Sequence, residues 1–334
     1  MLKHINVALF VPDEGCPHRC SFCNQKTISG KTKRLEINDI DSAVETALRS
    51  ADCNKGEIAF FGGSFTAIDR DYMISLLERA KMYVDKGLFA GIRISTRPDC
   101  ISEEILTILR HYGVTSIELG CQSMSDGVLR LNNRGHTAED VVRSAKLIKY
   151  YGFELGVQMM TGLYGGDRDT DIETARKLIA LSPDTARIYP TVVLEGTELE
   201  RLFRLGEYKP QTVEDAADLC SELLMMFHEA DIRVIRVGLH SGGNVEEGYV
   251  AGAYHPAFRE ICESRIYLKK VLSEIERKGI AKGEITVNVG PTFVSMLTGQ
   301  KKANSVKLRE MGYILKIKQD KELKKYEIKV GGKI

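Results

Sequence analysis

Ile5-Asn6-Val7-Ala8-Leu9-Phe10-Val11 leads, after four residues, into Cys16-Pro17-His18-Arg19-Cys20-Ser21-Phe22-Cys23. The first segment reads as an apolar strand, and the second sets three cysteines in a C-x3-C-x2-C spacing on one short loop. Three thiolates so placed can hold three irons of a [4Fe–4S] cluster and leave the fourth iron without a protein ligand, open to a small molecule. Two other uses of the thiols stand beside this one. Cys16, His18, Cys20 and Cys23 offer the donors of a Cys3His zinc site, although zinc ligands usually come as two pairs and no second pair follows. A disulfide is the third, but eight cysteines in 334 residues do not make a secreted disulfide scaffold.

Hydrophobic residues make up 43% of the chain and charged residues 28%, the balance of an ordinary globular protein. No apolar run reaches the roughly eighteen residues of a membrane span. Pro12-Asp13-Glu14 cuts the first apolar run short, so no leader pattern is read. A cytoplasmic protein with reduced thiols and no membrane partner is expected. The net charge of +1 hides an asymmetry: residues 265–334 carry 17 Lys and Arg against 7 Asp and Glu. A basic tail on an acidic body suggests an anionic partner, with a solvated lysine-rich surface as the plainer explanation.

Up to about residue 237, short apolar runs alternate with amphipathic stretches. Strands are expected at 5–11, 57–61, 91–95, 116–119, 154–158 and 185–189. Helices are expected near 38–50, 70–85, 102–112, 137–151, 169–181 and 212–230, with Asn38, Ser102 and Thr137 as N-caps. Strict alternation argues for parallel β/α units. Six of them suit an α/β fold of the incomplete TIM type, a (β/α)6 barrel, whose reactive residues gather at the C-terminal strand ends. A doubly wound open sheet is the alternative. The expected division is a partial barrel over 1–245 and a small basic α+β unit over 246–334.

The strand ends carry the remaining signals. They read Phe60-Phe61-Gly62-Gly63-Ser64-Phe65, Ile94-Ser95-Thr96-Arg97-Pro98-Asp99, Ile117-Glu118-Leu119-Gly120-Cys121-Gln122-Ser123 and Leu131-Asn132-Asn133-Arg134-Gly135-His136-Thr137. Gly156-Val157-Gln158-Met159-Met160-Thr161 and Ala186-Arg187-Ile188-Tyr189-Pro190-Thr191 follow, with Glu195-Gly196-Thr197 beyond. With the cysteine loop, this series resembles the radical S-adenosylmethionine (SAM) superfamily. Within it, residues 1–240 are similar to the radical domain of the catalytic subunit of Elongator, which modifies the wobble uridine of tRNA. Oxygen-independent coproporphyrinogen oxidase is a more distant relative.

The resemblance implies a [4Fe–4S] cluster on Cys16, Cys20 and Cys23, SAM at the open iron, and an external electron donor. It implies that Gly62, Gly63 and Ser64 contact the amino group of SAM, that Arg134 pairs with its carboxylate, and that Gln122 and Gln158 line its nucleoside. The coproporphyrinogen relative has an aspartate at the Gln158 position. Ser95 stands where both relatives carry glutamate; a serine still bonds a hydroxyl but is shorter. Cys53, Cys100, Cys220 and Cys262 read as small core residues. Cys121 reads as a pocket-edge residue and His136 as a hydrogen-bond partner. Tyr189, Tyr254 and His255 are candidates for the substrate pocket.

The Elongator subunit carries an acetyltransferase domain after its radical domain, and fewer than a hundred residues follow here, so that activity is not expected. The tail instead shows a helix near 257–278, then strand 284–289, helix 291–298, loop Gly299-Gln300-Lys301-Lys302, helix 305–311, and strands 313–318 and 325–330. This order resembles a KH-type RNA-binding core, with Lys302 in place of the final glycine of the G-x-x-G loop. A structural cap on the barrel is the alternative. The expected function is radical SAM chemistry on RNA, in particular tRNA. A radical SAM enzyme on a small metabolite and a non-enzymatic zinc and nucleic-acid module are the competing classes.

Overall fold

A computed structural model describes residues 6–11, 16, 19–30, 33–50, 52–239 and 245–333. Pro12-Asp13-Glu14, Pro17 and His18 lie outside the described residues. The strands are β1 (Asn6–Val11), β2 (Glu57–Gly62), β3 (Gly91–Thr96), β4 (Val114–Gln122), β5 (Glu154–Thr161), β6 (Thr185–Pro190), β7 (Val192–Leu194) and β8 (Arg233–Val237). All but β7 join one parallel sheet of seven strands, ordered β1-β2-β3-β4-β5-β6-β8. The order follows the chain throughout, whereas a doubly wound sheet reverses direction part-way. The sheet curls into a half-barrel open between β8 and β1, so the incomplete TIM-type expectation holds with one correction: there are seven parallel strands, not six. The seventh reads Arg233-Val-Ile-Arg-Val, and its two arginines interrupt the apolar run that marked the others.

The helices are α1 (Gln25–Ser29), α2 (Ile37–Ser50), α3 (Arg70–Asp85), α4 (Glu103–His111), α5 (Asp126–Leu131), α6 (Ala138–Tyr150), α7 (Arg168–Ala180), α8 (Glu198–Arg204), α9 (Val213–Glu229) and α10 (Phe258–Lys278). Ser102 caps α4 by accepting from Ile105 N, and Thr137 forms a reciprocal capping box with Asp140. Asn38 is not a cap. It lies inside the first turn of α2, where the Asp39 carboxylate accepts from Glu36 N at 2.9 Å.

Alternation along each strand separates two environments. Ile92 and Ile94, Ile117 and Leu119, and Leu155, Val157 and Met159 face outward into the core beneath the helices. The inner face carries charge instead. Arg93, 2% exposed, donates from Nε to Glu57 (2.6 Å), from Nη1 to Glu118 (3.3 Å) and from Nη2 to Glu154 (3.0 Å). Arg187 forks onto Glu118 at 2.9 and 2.7 Å. Burial alone would raise the Glu57 pKa, but the Ser116 hydroxyl and Arg93 outweigh it and hold the carboxyl below its usual value. This network is the floor of the half-barrel.

β9 (Tyr249–Gly252) pairs antiparallel with β7. Beyond α10 come β10 (Gly283–Val289), α11 (Val294–Thr298), α12 (Ala303–Glu310), β11 (Tyr313–Gln319) and β12 (Ile328–Gly332), the element order expected for the tail. The sheet runs β11-β10-β12, with β11 parallel and β12 antiparallel to β10. α10 lies between α9 and this sheet, and its Ile266, Tyr267, Val271 and Ile275 join one continuous apolar core with Leu223, Ile285 and Val287. Buried Glu263 accepts from Arg259 (3.1 Å), Lys325 (2.7 Å) and the Tyr326 hydroxyl (3.3 Å), fastening β12's approach to α10.

Arg93→Ala removes one cationic partner each from Glu57, from Glu118, which keeps Arg187, and from Glu154. It is expected to cost about 3–5 kcal/mol in urea unfolding. In the wild type, the share held by Glu57 is present above its unfolded pKa and lost as pH falls through its lower folded value, so the variant's deficit should shrink in acid.

Candidate functional site

The cysteine loop joins the end of β1 to α1 at the C-terminal mouth of the half-barrel. It is docked from two sides by contacts far apart in sequence. Ser21 donates from its hydroxyl to Asn132 Oδ1 (2.7 Å) and from its backbone N–H to Asn132 O (3.1 Å). Leu199 N donates to Ser21 O (2.7 Å), and the Asn24 amide donates to Glu195 O (2.8 Å). Asn132 is itself held by bonds from Nδ2 to Val128 O and Tyr164 O at 2.8 and 2.9 Å.

The thiols are close enough to influence one another. Burial pushes the Cys23 thiol up to about 12, and Cys20 and Cys16 add in the same direction, with the Gln25 amide and Arg134 opposing. Two N–H donors point at sulfur: Arg134 Nη1 at Cys20 Sγ (3.2 Å) and Gln25 Nε2 at Cys23 Sγ (3.3 Å). The backbone N–H of Ser64 lies beside the Cys16 thiol. Donors of this kind stabilise thiolate charge, as three thiolates on a cluster require. Among the described residues, no three His, Cys, Asp or Glu side chains close around a single metal ion. A [4Fe–4S] cluster asks for one thiolate on each of three irons, and the sulfur-directed donors from Arg134 and Gln25 suit that charge.

Most of the expected SAM residues converge here. Gly62 ends β2 with φ +117°, and a Cβ there would stand 2.5 Å from Val11 O; only glycine allows β1 and β2 to approach so closely. Its carbonyl accepts from Gln25 Nε2 (3.2 Å), which ties the glycine turn to the cysteine loop. Gly63 N bonds Val11 O at 3.0 Å. Ser64 is buried, and its hydroxyl bonds Thr96 Oγ1 (2.8 Å) and accepts from Arg97 N (3.3 Å), so its side chain serves the β2–β3 junction.

Arg134 lies under the loop, with Nη2 on Gly120 O at 2.6 Å. A Cβ at Gly120 would come within 3.0 Å of both Arg134 Nη2 and Gln122 Nε2. Gln122, buried at φ +64° past an irregularity in β4, accepts from Gln158 Nε2 (3.2 Å). The buried Nε of Arg134 has no acceptor among the described residues. Ser95 sits deeper, half-buried on the inner face of β3 in register with Glu118.

Other residues differ from the sequence reading. Cys121 is fully buried in the core behind β4, with its Sγ toward Leu119 O, and does not face the pocket. Tyr254 packs in the β7–β9 cluster, and His255 accepts from Ala257 N in a turn; of the three substrate-pocket candidates, only Tyr189 lies on the inner face, beside Arg187. His136 meets Cys121 O through Nε2 (3.1 Å). Two residues were missed. Arg97, 2% exposed, grips Asp99 with two bonds (2.9 and 2.8 Å) and donates to the Arg134 carbonyl, fixing that loop. Asn132 joins the same loop to the cysteines. The charged doublet of Arg97-Pro98-Asp99 stands at a strand end in the sequence, but nothing local marks Arg97 as buried.

The model of the radical SAM superfamily matches residues 11–179, and the model of its C-terminal domain matches residues 183–268. The chain belongs to the radical SAM superfamily. Members of that superfamily bind a [4Fe–4S] cluster and S-adenosylmethionine. The chain is 29% identical over 256 residues to tRNA uridine(34) acetyltransferase of Methanocaldococcus jannaschii, covering 64% of this chain and 47% of that protein. It is 34% identical over 193 residues to human Elongator complex protein 3, covering 52% of this chain and 35% of the relative. It thus spans about half or less of the length of these relatives. Among solved structures, Elp3 of the archaeon Methanocaldococcus infernus superposes with a TM-score of 0.65 at 21% identity, over 86% of this chain and 66% of that one, which establishes the shared fold.

Burial first, then Arg134 nearby, drives the His136 pKa down to about 4. Its folded value lies below the unfolded one, so it contributes stability above the unfolded pKa that is lost as pH falls toward 4. Its imidazole signals are expected to stay unchanged between pH 8 and pH 5.5 in an NMR titration.

Proposed function

We propose that this chain is a radical SAM enzyme acting on RNA, and on tRNA in particular, with residues 1–245 as the catalytic half-barrel and 246–334 as an appended unit. The observation that carries the catalytic reading is Arg134, whose guanidinium spans a cysteine of the loop and a strand-end carbonyl while its buried Nε awaits an acceptor. In this reading Cys16, Cys20 and Cys23 hold the cluster. Arg134 receives the SAM carboxylate, as a guanidinium fork does well. Backbone groups of Gly62, Gly63 and Ser64 meet the amino group, and Gln122 and Gln158 meet the nucleoside. Ser95 lines the deeper wall, where its short side chain leaves room above the charged floor. When bound, the cluster and SAM supply a 5′-deoxyadenosyl radical, formed with one electron from an external donor. The chain's own part is to orient the nucleoside with its inner-face polar groups and to hold the substrate beside it.

The RNA substrate is inferred from the names of the relatives and from the tail. Gly299, Gln300, Lys301 and Lys302 form the proposed RNA contact. A Cβ at Gly299 would meet Ser264 Oγ at 2.8 Å, and Asn304 Nδ2 ties the loop to Ser264 O (2.9 Å) and Leu297 O (3.0 Å). Exposed Lys301 and Lys302 both adopt positive φ, +51° and +63°, each a strain of order 1–3 kcal/mol that the anchored loop sustains. The continuous core through α10 favours a second role for the tail, as a structural cap on the barrel. Among the described residues no helix is long and apolar enough to cross a membrane, and we infer a cytoplasmic site of action.

Anaerobic reconstitution should load about four irons per chain. Cys16→Ala, Cys20→Ala and Cys23→Ala should each abolish loading, whereas Cys53→Ala and Cys262→Ala should not; stoichiometric zinc without iron would refute the assignment. Arg134→Ala should keep the iron but weaken SAM binding about ten- to a hundredfold by equilibrium dialysis.

For the tail, Lys301→Glu/Lys302→Glu should weaken tRNA retention in filter binding and reduce the dependence of log affinity on log salt by about 2. Equal affinity and slope would leave the cap as the tail's only role.

A further inference from the structure

The inner face of the half-barrel presents three strand-borne arginines, and they are not treated alike. Arg93 meets three carboxylates and Arg187 meets Glu118. Arg236, on β8, has no carboxylate partner among the described residues, and its buried Nε, like that of Arg187, has no hydrogen-bond acceptor among them; the missing carboxylate is what sets it apart. Register puts it on the inner face: Gly120 pairs with Gln158, Gln158 with Arg187, and Arg187 with Arg236, one row across β4, β5, β6 and β8. Two inter-strand spacings separate Arg236 from Gln158, about 10 Å, so a ligand seated at Gln158 leaves room for a second molecule before Arg236.

The surroundings of Arg236 point to an absent anion. Burial lowers its pKa from the usual arginine value; the Tyr189 hydroxyl opposes this, and the positive charges of Arg187 and Arg259 deepen it. Both of those neighbours are already neutralised, Arg187 by Glu118 and Arg259 by Glu263. The guanidinium is therefore half-buried among cations with only a phenol for company. β8 is also the edge of the sheet, where α10 lies against it and Arg259 Nη2 donates to Val234 O (3.1 Å).

We propose that Arg236, together with the Tyr189 hydroxyl, receives an oxyanion of the substrate at the β8 edge of the barrel, namely a phosphodiester of the RNA. This rests on the RNA reading above. A planar fork suits a phosphate's paired oxygens, and Tyr189 adds a third donor. The phosphate would settle the charge that the protein leaves uncompensated, and would set the distance between the nucleotide and the SAM site.

The test uses the full chain reconstituted with cluster and SAM, with Arg236→Gln and Arg236→Lys variants whose iron content and SAM affinity establish that they are folded. Inorganic phosphate is titrated while the arginine Nε–H signals are followed by 15N NMR, and an unmodified tRNA transcript is titrated by filter binding at two salt concentrations. Phosphate should move one Nε–H signal that is missing from both variants. Arg236→Gln should bind the transcript about tenfold or more weakly, with the salt slope reduced by about 1, and Arg236→Lys should recover part of the affinity. If Arg236→Gln binds the transcript as the wild type does, the proposal falls while the RNA reading stands. If the wild type binds no transcript at low salt yet phosphate still moves the Arg236 signal, the RNA reading falls and the oxyanion site stands. If phosphate moves no such signal, the site is overturned.

Discussion

A guanidinium from β3 reaching carboxylates on β2, β4 and β5 holds the floor of this molecule. Charges on the inside of a curled sheet are tolerable only when each finds a partner, because burial penalises an unpaired ion far more than a matched pair. Arg93 meets that condition for Glu57, Glu118 and Glu154 at once, and Arg187 extends it to β6. The inner faces of five neighbouring strands are thereby locked in register by charge rather than by apolar packing. The apolar residues go outward under the helices, and the inner face above the floor is lined by polar side chains.

The site grows from that floor. With the strands in register, Ser95 lies level with Glu118, and the next row carries Gly120 and Gln158, which are small or neutral. At the mouth, the cysteine loop has little regular structure of its own and is placed by partners elsewhere. Asn132 and Leu199 hold its backbone, Gln25 binds it to Gly62, and Arg97 steadies the loop that delivers Arg134. Loops at strand ends can carry reactive groups because the sheet beneath them is rigid.

α10 couples the half to the tail. It packs on α9 with one side and on the three-stranded sheet with the other, and buried Glu263 collects Arg259 from its own first turn along with Lys325 and Tyr326. The basic tail is thus not a loose appendage. Its lysine loop is held against α10 by Asn304, so a cationic surface and the β8 edge of the barrel belong to one packed body.

Local patterns along the chain carry most of the scaffold and place it in the radical SAM superfamily. The C-x3-C-x2-C spacing, the turn at Gly62-Gly63 and the alternation of strands and helices are local patterns, and local patterns survive in one dimension. The sequence also named Arg134, Gln122 and Gln158, through a resemblance rather than through physics. It did not find the seventh strand, whose five residues include two arginines, one of them exposed, and leave only a short apolar signal. Nor did it see that Ser64 and Cys121 turn their side chains away from the pocket. Only the tertiary structure decided which charges are partners. Arg93 and Glu154 are 61 residues apart, Ser21 and Asn132 are 111 apart, and the lack of a carboxylate beside Arg236 shows only once Glu118 and Glu263 are seen to pair with Arg187 and Arg259. Pairing of buried charge is a property of the closed sheet, fixed by where strands meet and not by what precedes or follows a residue in the chain.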